Sequence, residues 1–542
     1  MGNDPARAVS APRRFRILVS DSLSEDGLAA LRAFEDVEVD APGSLSREAF
    51  LAGLPGHDAL IVRSGTRVDA EALDRAPGLK VVGRAGVGLD NVDVEAATER
   101  GILVMNTPGA NATATAEHVW ALLLALCRRL PAADASVRRG EWERGRFTGI
   151  QLAGRTLGVV GLGRVGRLVA ARGRGFGMTV LGYDPYLSVE AAAELGVEPV
   201  ELDGLLAGSD VVTLHAPLTD ETRALIDAAA LARVRPGALL VNAARGGLVD
   251  EAAVAAALAD GRLGGAAFDV YAAEPPAGSP LLEAPNVVLT PHIAASTFEA
   301  QRDVSVQIAE QVVAALREEE FRNAVNLPFV TTGGLAEIRP WLDLAERLGR
   351  LAAALAPGRI ERVEVEARGP EVAPHAQPLS VAVLRGVLAP ILGGADVNWV
   401  NAAHVAAERG TEVARGRRAS AAEYANLVGC RVRTDVDERG VAGTLFQTHP
   451  RAVEIDGFHL DAPPVGDALL VWNRDVPGVI GRVGTLLGKA GVNIAEWRLG
   501  RTAPGETALA FINLDTPAPG DVLEALRRIE GVRQVRQLRF PH

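Results

Sequence analysis

The sequence contains very little cysteine and very little lysine. Only two of its 542 residues are cysteine, Cys127 and Cys430, and their separation fits no metal-ligand motif. We therefore expect two buried free thiols, and neither a disulfide framework nor a metal site. Lysine occurs only at Lys80 and Lys489, and the formal net charge is −12. Such an acidic chain is unsuited to nucleic acid, and it can bind an anion only where arginines gather locally.

The sequence also lacks an apolar run long and clean enough to span a membrane. Its first residues lack the apolar core of a signal peptide. We therefore expect no membrane partner and a cytoplasmic location. A hydrophobic content of 48% and a charged content of 23% are typical of a globular protein, and the length predicts several domains.

Short apolar runs alternate with helical patterns over more than half of the chain, which predicts an α/β fold with parallel sheets. The first strands are predicted at residues 15–20, 59–62, 79–83 and 102–105. A second series predicts a doubly wound sheet with strands at residues 156–160, 179–183, 211–215, 238–242, 265–269 and 287–290. Between them, residues 112–130 form a helical pattern that is apolar on too many faces for a surface helix.

A cofactor motif opens the second series. Residues 156–166 combine a buried strand with a G-x-G-x-x-G turn. Gly161 permits the tight turn, Gly163 lets the backbone approach a pyrophosphate, and Gly166 allows close packing of helix on strand. Asp184 follows the next strand, about 20 residues further on, where an acid binds ribose hydroxyls and repels a 2′-phosphate. The motif predicts NAD rather than NADP.

Three charged or titratable residues follow later strands of the same series: Arg245, Glu274 and His292. Ligands of a doubly wound sheet bind beyond the carboxyl ends of its strands, so we expect the three to meet in one crevice. Oxidation of an alcohol needs a base such as histidine, oriented by a carboxylate, and an arginine suits a substrate carboxylate. Any one of them alone is more often structural, so the prediction depends on all three.

The motifs around these residues resemble, in order and spacing, those of the D-isomer-specific 2-hydroxyacid dehydrogenases. The resemblance implies that Arg245, Glu274 and His292 are catalytic. It implies a Rossmann-type nucleotide domain, residues 112–295, inserted in a flavodoxin-like substrate domain, residues 15–111 and 296–328. The implied NAD-binding residues are Gly161, Gly163, Arg164, Val165, Gly166, Asp184, Ala243, Ala244, Asp269, Ala294 and Ala295.

The N-terminal segments resemble the branch of that family that acts on 3-phosphoglycerate. The implied substrate-binding residues are Arg63, Ser64, Arg84, Asn111 and Arg144. The arginines among them suit a dianionic phosphate, while Arg245 suits the carboxylate. The implied reaction is the NAD-dependent oxidation of 3-phospho-D-glycerate to 3-phosphohydroxypyruvate, the first committed step of L-serine biosynthesis. Val87 departs from the family, which commonly has a polar residue there, so one hydrogen bond to the cofactor is expected to be missing.

The C-terminal part resembles two further domains of the long form of this branch. Residues 330–460 resemble its intervening domain, through segments that include residues 396–402. Residues 467–542 show the order βαββαβ, a ferredoxin-like pattern, and resemble an ACT domain. Asn473, Asp475 and Asn493 match positions that bind an amino acid between paired subunits. We expect them to line one edge of the sheet and to bind L-serine, unless the domain serves only assembly.

Two other functions stay open at this point. One is another D-2-hydroxyacid dehydrogenase, for example one that acts on glyoxylate or hydroxypyruvate. The other is an NAD-sensing interaction protein, such as the transcriptional co-repressors of the family. The C-terminal extension disfavours both. The predicted helix at residues 112–130 would expose more apolar surface than a monomer tolerates, which predicts a homodimer through the nucleotide domains, or a homotetramer with a further contact through the C-terminal domains.

Overall fold

The structure is a computed structural model that describes residues 14–329, 335–392, 397–418 and 424–540. Four β-sheets account for its strands. Asp396 and residues 330–334, which belong to segments singled out in the sequence, lie outside the described residues.

The first sheet has five parallel strands in the order β2-β1-β3-β4-β5, which is the flavodoxin-like order. Its elements are β1 (Phe15–Val19), α1 (Glu25–Arg32), β2 (Val37–Asp40), α2 (Arg47–Gly53), β3 (Ala59–Val62), α3 (Ala70–Asp74), β4 (Val81–Arg84), α4 (Val94–Glu99) and β5 (Leu103–Met105). The apolar pattern of the sequence did not predict β2 or α2. β2 is an edge strand with one buried residue, Val37, so it lacks the apolar run that marks the central strands.

The second sheet has seven parallel strands in the order β12-β11-β10-β9-β6-β7-β8, a Rossmann-type order that reverses between β6 and β9. Its elements are α5 (Ala112–Arg128), α6 (Leu130–Arg138), β6 (Thr156–Val160), α7 (Arg164–Gly175), β7 (Thr179–Tyr183), α8 (Val189–Glu194), β8 (Glu198–Pro199), α9 (Leu202–Gly208), β9 (Val211–Leu214), α10 (Ala228–Arg233), β10 (Ala238–Asn242), α11 (Glu251–Ala259), β11 (Leu263–Phe268) and β12 (Val287–Leu289). α12 (Phe298–Leu316) then returns to pack on α1 and β4 of the first sheet.

The helix predicted over residues 112–130 is α5, and the chain itself covers it. α5 packs against α7 and against β10, β11 and β12, which buries Trp120, Leu123 and most of its other apolar side chains. The expectation that α5 exposes its apolar faces was therefore wrong. The helix ends because Arg129 adopts a left-handed conformation at φ 52°, and α6 begins directly after it. The exposed apolar side chains lie beyond this break, at Leu130, Val137 and Trp142.

The third sheet has six strands in the order β14-β13-β15-β16-β17-β18, and all its pairs except β13–β14 are antiparallel. Its elements are α13 (Leu335–Leu355), β13 (Ile360–Arg368), α14 (Ala376–Leu392), α15 (Ala402–Glu408), β14 (Glu412–Arg418), β15 (Leu427–Thr434), β16 (Glu438–Phe446), β17 (His449–Ile455) and β18 (Phe458–Ala462). Cys430 of this sheet and Cys127 of α5 are buried free thiols, as predicted.

One helical stretch, Ala373–Leu392, is long and apolar enough to cross a membrane by length and composition. This differs from the sequence expectation that no run meets those criteria. The stretch contains α14, which packs against α13, and 61% of its apolar window is buried inside the chain. Its composition is that of a core helix.

The fourth sheet has the ferredoxin-like order β20-β21-β19-β22, as the sequence pattern predicts. Its elements are β19 (Asp467–Arg474), α16 (Val479–Lys489), β20 (Ile494–Arg501), β21 (Thr507–Leu514), α17 (Gly520–Arg527) and β22 (Val532–Arg539). Strand β20 lies against β18 of the third sheet, where Arg451 is 3.5 Å from Glu496.

Candidate active site

The G-x-G-x-x-G turn lies where the strand order of the second sheet reverses. Gly161 has φ +90°, and a Cβ there would stand 2.7 Å from the backbone of His215 on the neighbouring strand end. A Cβ on Gly166 would stand 2.0 Å from the Gly161 oxygen, so the helix can approach the strand only through glycine. By contrast, a Cβ on Gly163 would meet nothing within 4 Å, which leaves open space in front of the turn.

This open space fits the pyrophosphate of a dinucleotide. Helix α7 begins at Arg164 with Gly163 as its N-cap and no side chain that caps it, so its first N–H groups face outward. Asp184 lies beside the turn, at the end of β7. Its carboxylate accepts hydrogen bonds from Leu162 N at 2.9 Å and Tyr186 N at 3.0 Å. Each carboxylate oxygen retains a further lone pair, which suits a ribose hydroxyl.

The same crevice contains the loops after β10, β11 and β12. Ala243 and Ala244 follow β10, and Ala294 and Ala295 follow β12. Asp269 follows β11 and is fully buried, and it accepts hydrogen bonds from Thr290 Oγ1, Ile293 N and Ala294 N. Burial alone would raise the pKa of Asp269, but hydrogen bonds from His118, Thr290 and the backbone lower it below its ordinary value.

His292 and Glu274 form a hydrogen-bonded pair in the crevice. His292 Nδ1 lies 2.7 Å from Glu274 Oε2, while Glu274 Oε1 accepts a hydrogen bond from Tyr271 N at 3.1 Å. His292 has φ 53°, a left-handed conformation that is uncommon for histidine and recurs at functional sites. With Nδ1 engaged, Nε2 is the ring nitrogen left to exchange a proton with a substrate.

A cavity of about 810 Å³ connects this pair to the first sheet. Arg245, Glu274 and His292 line it from the nucleotide side. Arg63, Ser64, Arg84 and Asn111 line it from the other side. With Arg223, four arginines line this one cavity, which makes it a site for a small molecule with more than one negative charge.

One arginine of this cavity, Arg84, has a lowered pKa. Burial, together with the nearby charges of Arg245 and Arg63, lowers the pKa of Arg84 to about 10, although the charge of Asp90 raises it in part. Arg84 therefore stays protonated at neutral pH. Its Nε is buried without a hydrogen-bond partner, so an incoming anion would satisfy a group that the protein leaves unpaired.

Sequence comparison identifies the parts of the chain. Residues 120–294 match the D-isomer specific 2-hydroxyacid dehydrogenase, NAD binding domain. Residues 337–456 match the D-3-phosphoglycerate dehydrogenase intervening domain, and residues 468–531 match the ACT domain. The chain is 45% identical over 515 residues to the D-3-phosphoglycerate dehydrogenase of Mycobacterium tuberculosis, covering 94% of this chain and 96% of that protein. It is 43% identical to that of Archaeoglobus fulgidus, covering 95% and 98%.

The chain belongs to the D-3-phosphoglycerate dehydrogenase family.

Solved structures resemble the catalytic part of this family member. A Thermus thermophilus protein superimposes with a TM-score of 0.53 at 40% identity, covering 57% of this chain and all of that one. The Aquifex aeolicus D-lactate dehydrogenase complexed with NAD and lactic acid has a TM-score of 0.50 at 29% identity, covering 56% of this chain and 95% of that chain. The NAD-binding domain, together with the open glycine turn and Asp184, identifies the cofactor as NAD.

One residue that the family resemblance placed at the substrate lies elsewhere. Arg144 is exposed at the start of a short 3-10 turn, Arg144–Phe147, and does not line the cavity that contains Arg63 and Arg84. The turn follows α6, which leads the chain away from the crevice after the break at Arg129. Within one chain, Arg144 is thus not part of the substrate cavity.

The three predicted effector residues of the ACT domain do not lie together within one chain. Asn473 ends β19 at the level of Ala508 on β21, whereas Asn493 precedes β20 and its backbone oxygen accepts a hydrogen bond from Asp515. They therefore lie at opposite ends of the sheet, about 20 Å apart along the strands. Asp475 is already bound to Arg501 at 3.1 Å. The expectation that the three line one edge within a chain was wrong, because β19 and β20 run parallel.

Some residues at the site escaped the sequence analysis. His118 on α5 lies 3.3 Å from Asp269 Oδ1, but a single histidine in an apolar helix gives no signal. Arg223 lines the cavity from an exposed loop, and Asp90 faces Arg245. Asp90 lies far from its partner Arg245 in sequence, so no local motif links the two residues. Val87 lines the cavity, and its carbonyl accepts a hydrogen bond from Asn106.

Within the ranges that the structure describes, no group of three His, Cys, Asp or Glu side chains is arranged to hold a metal ion.

Proposed function

We propose that the chain oxidises 3-phospho-D-glycerate to 3-phosphohydroxypyruvate with NAD, the first committed step of L-serine biosynthesis. The observation that carries this proposal is the His292–Glu274 pair, which opens onto a cavity that also contains Arg63, Arg84 and Arg245. A phosphorylated 2-hydroxyacid needs one base and two separate cationic subsites, and this cavity supplies them. The names of the relatives support the same substrate.

The chemistry follows from the arrangement of the side chains. His292 accepts the proton of the substrate hydroxyl at Nε2, and Glu274 holds the ring and stabilises its protonated form. Arg245 binds the substrate carboxylate through its guanidinium fork. Arg63 and Arg84 bind the phosphate, with Ser64 and Asn111 as hydrogen-bond donors beside them. NAD, when bound, supplies the hydride acceptor.

The cofactor-binding residues act mainly through the backbone. The N–H groups at Gly163, Arg164 and Val165 would hold the pyrophosphate of NAD, and Asp184 would accept hydrogen bonds from its ribose. The backbone at Ala243, Ala244, Ala294 and Ala295 would hold the nicotinamide half, and Asp269 fixes the loop that carries His292.

The test is the formation of NADH by the purified chain from a set of D-2-hydroxyacids. We expect turnover with 3-phosphoglycerate and much slower turnover with glycolate, D-lactate and D-glycerate. Preference for an unphosphorylated acid would assign the chain to another specificity within the 2-hydroxyacid dehydrogenases. Cofactor binding without turnover of any acid would favour an NAD-sensing protein.

Because the substrate and NAD are dissolved metabolites, we place the reaction in the cytoplasm.

We further propose that L-serine binds between the ACT domains of two chains. Asn473 and Asp475 of one copy and Asn493 of another can meet only across such a contact, since they lie at opposite ends of one sheet. The ammonium group of bound serine would have to share the Asp475 carboxylate with Arg501. Calorimetry on the full chain should detect serine binding that Asn493→Ala weakens. Glu524→Gln on α17, which alters a surface ion pair, should leave it unchanged. No binding at millimolar serine would leave the ACT domain as an assembly module.

A further inference from the structure

An ion pair crosses the cleft between the first two sheets. Arg245 Nε, on the nucleotide side, lies 3.4 Å from Asp90 Oδ2, on the other side. The side chain of Asp90 is 70% exposed and that of Arg245 is 30% exposed, so water and solutes reach the pair. Arg245 is the residue expected to bind the substrate carboxylate, and here it already faces a carboxylate of the protein.

The loop that carries Asp90 is fixed by hydrogen bonds at both ends. Asn106 Nδ2 donates to the carbonyl of Val87 at 2.7 Å. Asn91 Nδ2 donates to the carbonyls of Arg63 and Thr66 at 2.7 and 2.5 Å. The backbone beside Asp90 is therefore held in place, and the Asp90 side chain can turn toward or away from Arg245 without a movement of the loop.

The turn that carries Arg245 is fixed as well. Asn242 accepts a hydrogen bond from Ala244 N at 3.1 Å and donates one to the carbonyl of Arg245 at 2.9 Å. Gly88 leaves the space in which the pair meets. A Cβ on Gly88 would stand 2.3 Å from Arg245 Nη2 and 2.8 Å from Asp90 Oδ2. Neither side chain could keep its present position beside a larger residue.

The charges of the cavity explain why an acid is useful there. Arg63, Arg84, Arg223 and Arg245 all line it, and the protein's acids among the lining residues are Asp90 and Glu274. Glu274 is engaged by His292. Asp90 thus offsets the mutual repulsion of the arginines when no substrate is bound. Once a substrate brings its own carboxylate to Arg245, the same negative charge opposes binding.

We propose that Asp90 is a stand-in carboxylate, which holds Arg245 in the empty cleft and is displaced when the carboxylate of the substrate binds. The inference rests on the proposed function, because it takes Arg245 as the carboxylate subsite. Asp90 is then a positioning residue that sets the substrate affinity rather than the rate of the chemical step.

The first test separates KM from kcat. Asp90→Asn keeps the shape of the side chain and removes the competing charge. We expect KM for 3-phosphoglycerate to fall by about two- to fivefold, the range for a solvent-exposed ion pair, with kcat nearly constant. Glu99→Gln removes one negative charge from a surface pair with Arg100 in the same domain, outside the cavity, and should leave KM unchanged. An unchanged or raised KM in Asp90→Asn would overturn the proposal.

The second test asks whether Asp90 competes only with a ligand carboxylate at Arg245, and it does not depend on turnover. Binding of 2-phosphoglycolate, which has a carboxylate and a phosphate, is compared by calorimetry with binding of glycerol 3-phosphate, which has only the phosphate. In Asp90→Asn the affinity should rise for 2-phosphoglycolate by more than for glycerol 3-phosphate. An equal gain for both would show a general charge effect and reject the stand-in role. Wild-type protein that binds 2-phosphoglycolate without oxidising 3-phosphoglycerate would reject the proposed function, while this comparison would still decide on Asp90.

Discussion

At the scale of single residues, the proposed proton transfer depends on His292, whose two ring nitrogens have different environments. Nδ1 of His292 is held by Glu274 at 2.7 Å, and Tyr271 N holds Glu274 in turn. The left-handed backbone at His292 is fixed by its own N–H, which donates to the carbonyl of Thr290. The position of the proposed base is thus set by neighbours that come from two different loops.

We predict that His292→Ala lowers kcat by about two to four orders of magnitude, the usual contribution of a general base. Glu274→Gln keeps a hydrogen-bonding side chain but removes the charge that stabilises the protonated ring, so it should lower kcat by less. Initial rates with 3-phosphoglycerate and NAD measure both effects, and a thermal melt checks the fold. Wild-type turnover in His292→Ala would show that the base is another group.

A second prediction concerns Asp184. Its carboxylate accepts hydrogen bonds from the backbone beside the glycine turn, so the charge lies where a 2′-phosphate would come. Asp184→Ala should raise the ratio of kcat/KM for NADP over NAD, because a repulsive charge is removed. Asp203→Ala, on α9, removes a surface carboxylate paired with Arg233 and serves as the control. Equal ratios in wild type and Asp184→Ala would mean that the carboxylate does not face the ribose.

Residue pattern and family motifs predicted which side chains gather at the crevice, but not all of their partners. Arg245, Glu274 and His292 each follow a strand, and strand ends meet at one edge of a parallel sheet. Asp90 and Arg223 lie on loops whose path no periodicity determines. Arg144 looked suitable because of its type and its neighbours in sequence, yet a left-handed residue at Arg129 changes the direction of the chain before it.

At the scale of secondary-structure elements, the central strands were the easiest to predict. Strands β6, β7 and β10 have the predicted bounds because their buried apolar runs begin and end sharply. The edge strand β2 and the short helix α2 were missed, since half-exposed elements have no such runs. Helix α5 was predicted, but its burial within the chain was not. Whether an apolar helix is covered by its own chain depends on tertiary packing, and the periodicity of a sequence carries no information about that packing.

A third prediction concerns a joint between elements that are distant in sequence. Before α15, Asn398 donates to the carbonyl of Gly101, after α4, at 2.7 Å, and its side-chain oxygen accepts from Val400 N. Asn398→Ala leaves the buried Gly101 carbonyl unpaired, which costs about 1–3 kcal/mol and should lower the melting temperature by about 2–6 °C.

The control for this joint lies on α15, the helix that follows Asn398. His404 pairs with Glu408 at the surface of α15, so His404→Ala should lower the melting temperature much less than Asn398→Ala. Equal effects of the two variants would mean that the hydrogen bond to Gly101 does not hold the two domains together.

At the scale of the whole molecule, exposed apolar side chains predict self-association. Trp142 is 78% exposed, and Leu130 and Val137 nearby are also exposed. We predict a dimer or tetramer in sedimentation velocity, and a smaller species for the double variant Leu130→Ser, Trp142→Ser. Phe298→Ser, which replaces an even more exposed aromatic residue at the start of α12, is the control. A wild-type monomer at micromolar concentration would contradict the prediction.

The central claim is that the cavity selects a phosphorylated 2-hydroxyacid, and the ratio of kcat/KM for 3-phosphoglycerate over D-glycerate tests it most directly. We predict a ratio of at least about a hundredfold, because each hydrogen bond to a charged group contributes about 1.5–3 kcal/mol. Arg84→Gln should reduce the ratio by at least about tenfold by the same reasoning. Arg100→Gln, at a surface pair with Asp74, should keep it. Equal use of the two acids by the wild-type chain, or a ratio that Arg84→Gln leaves unchanged, would contradict the account.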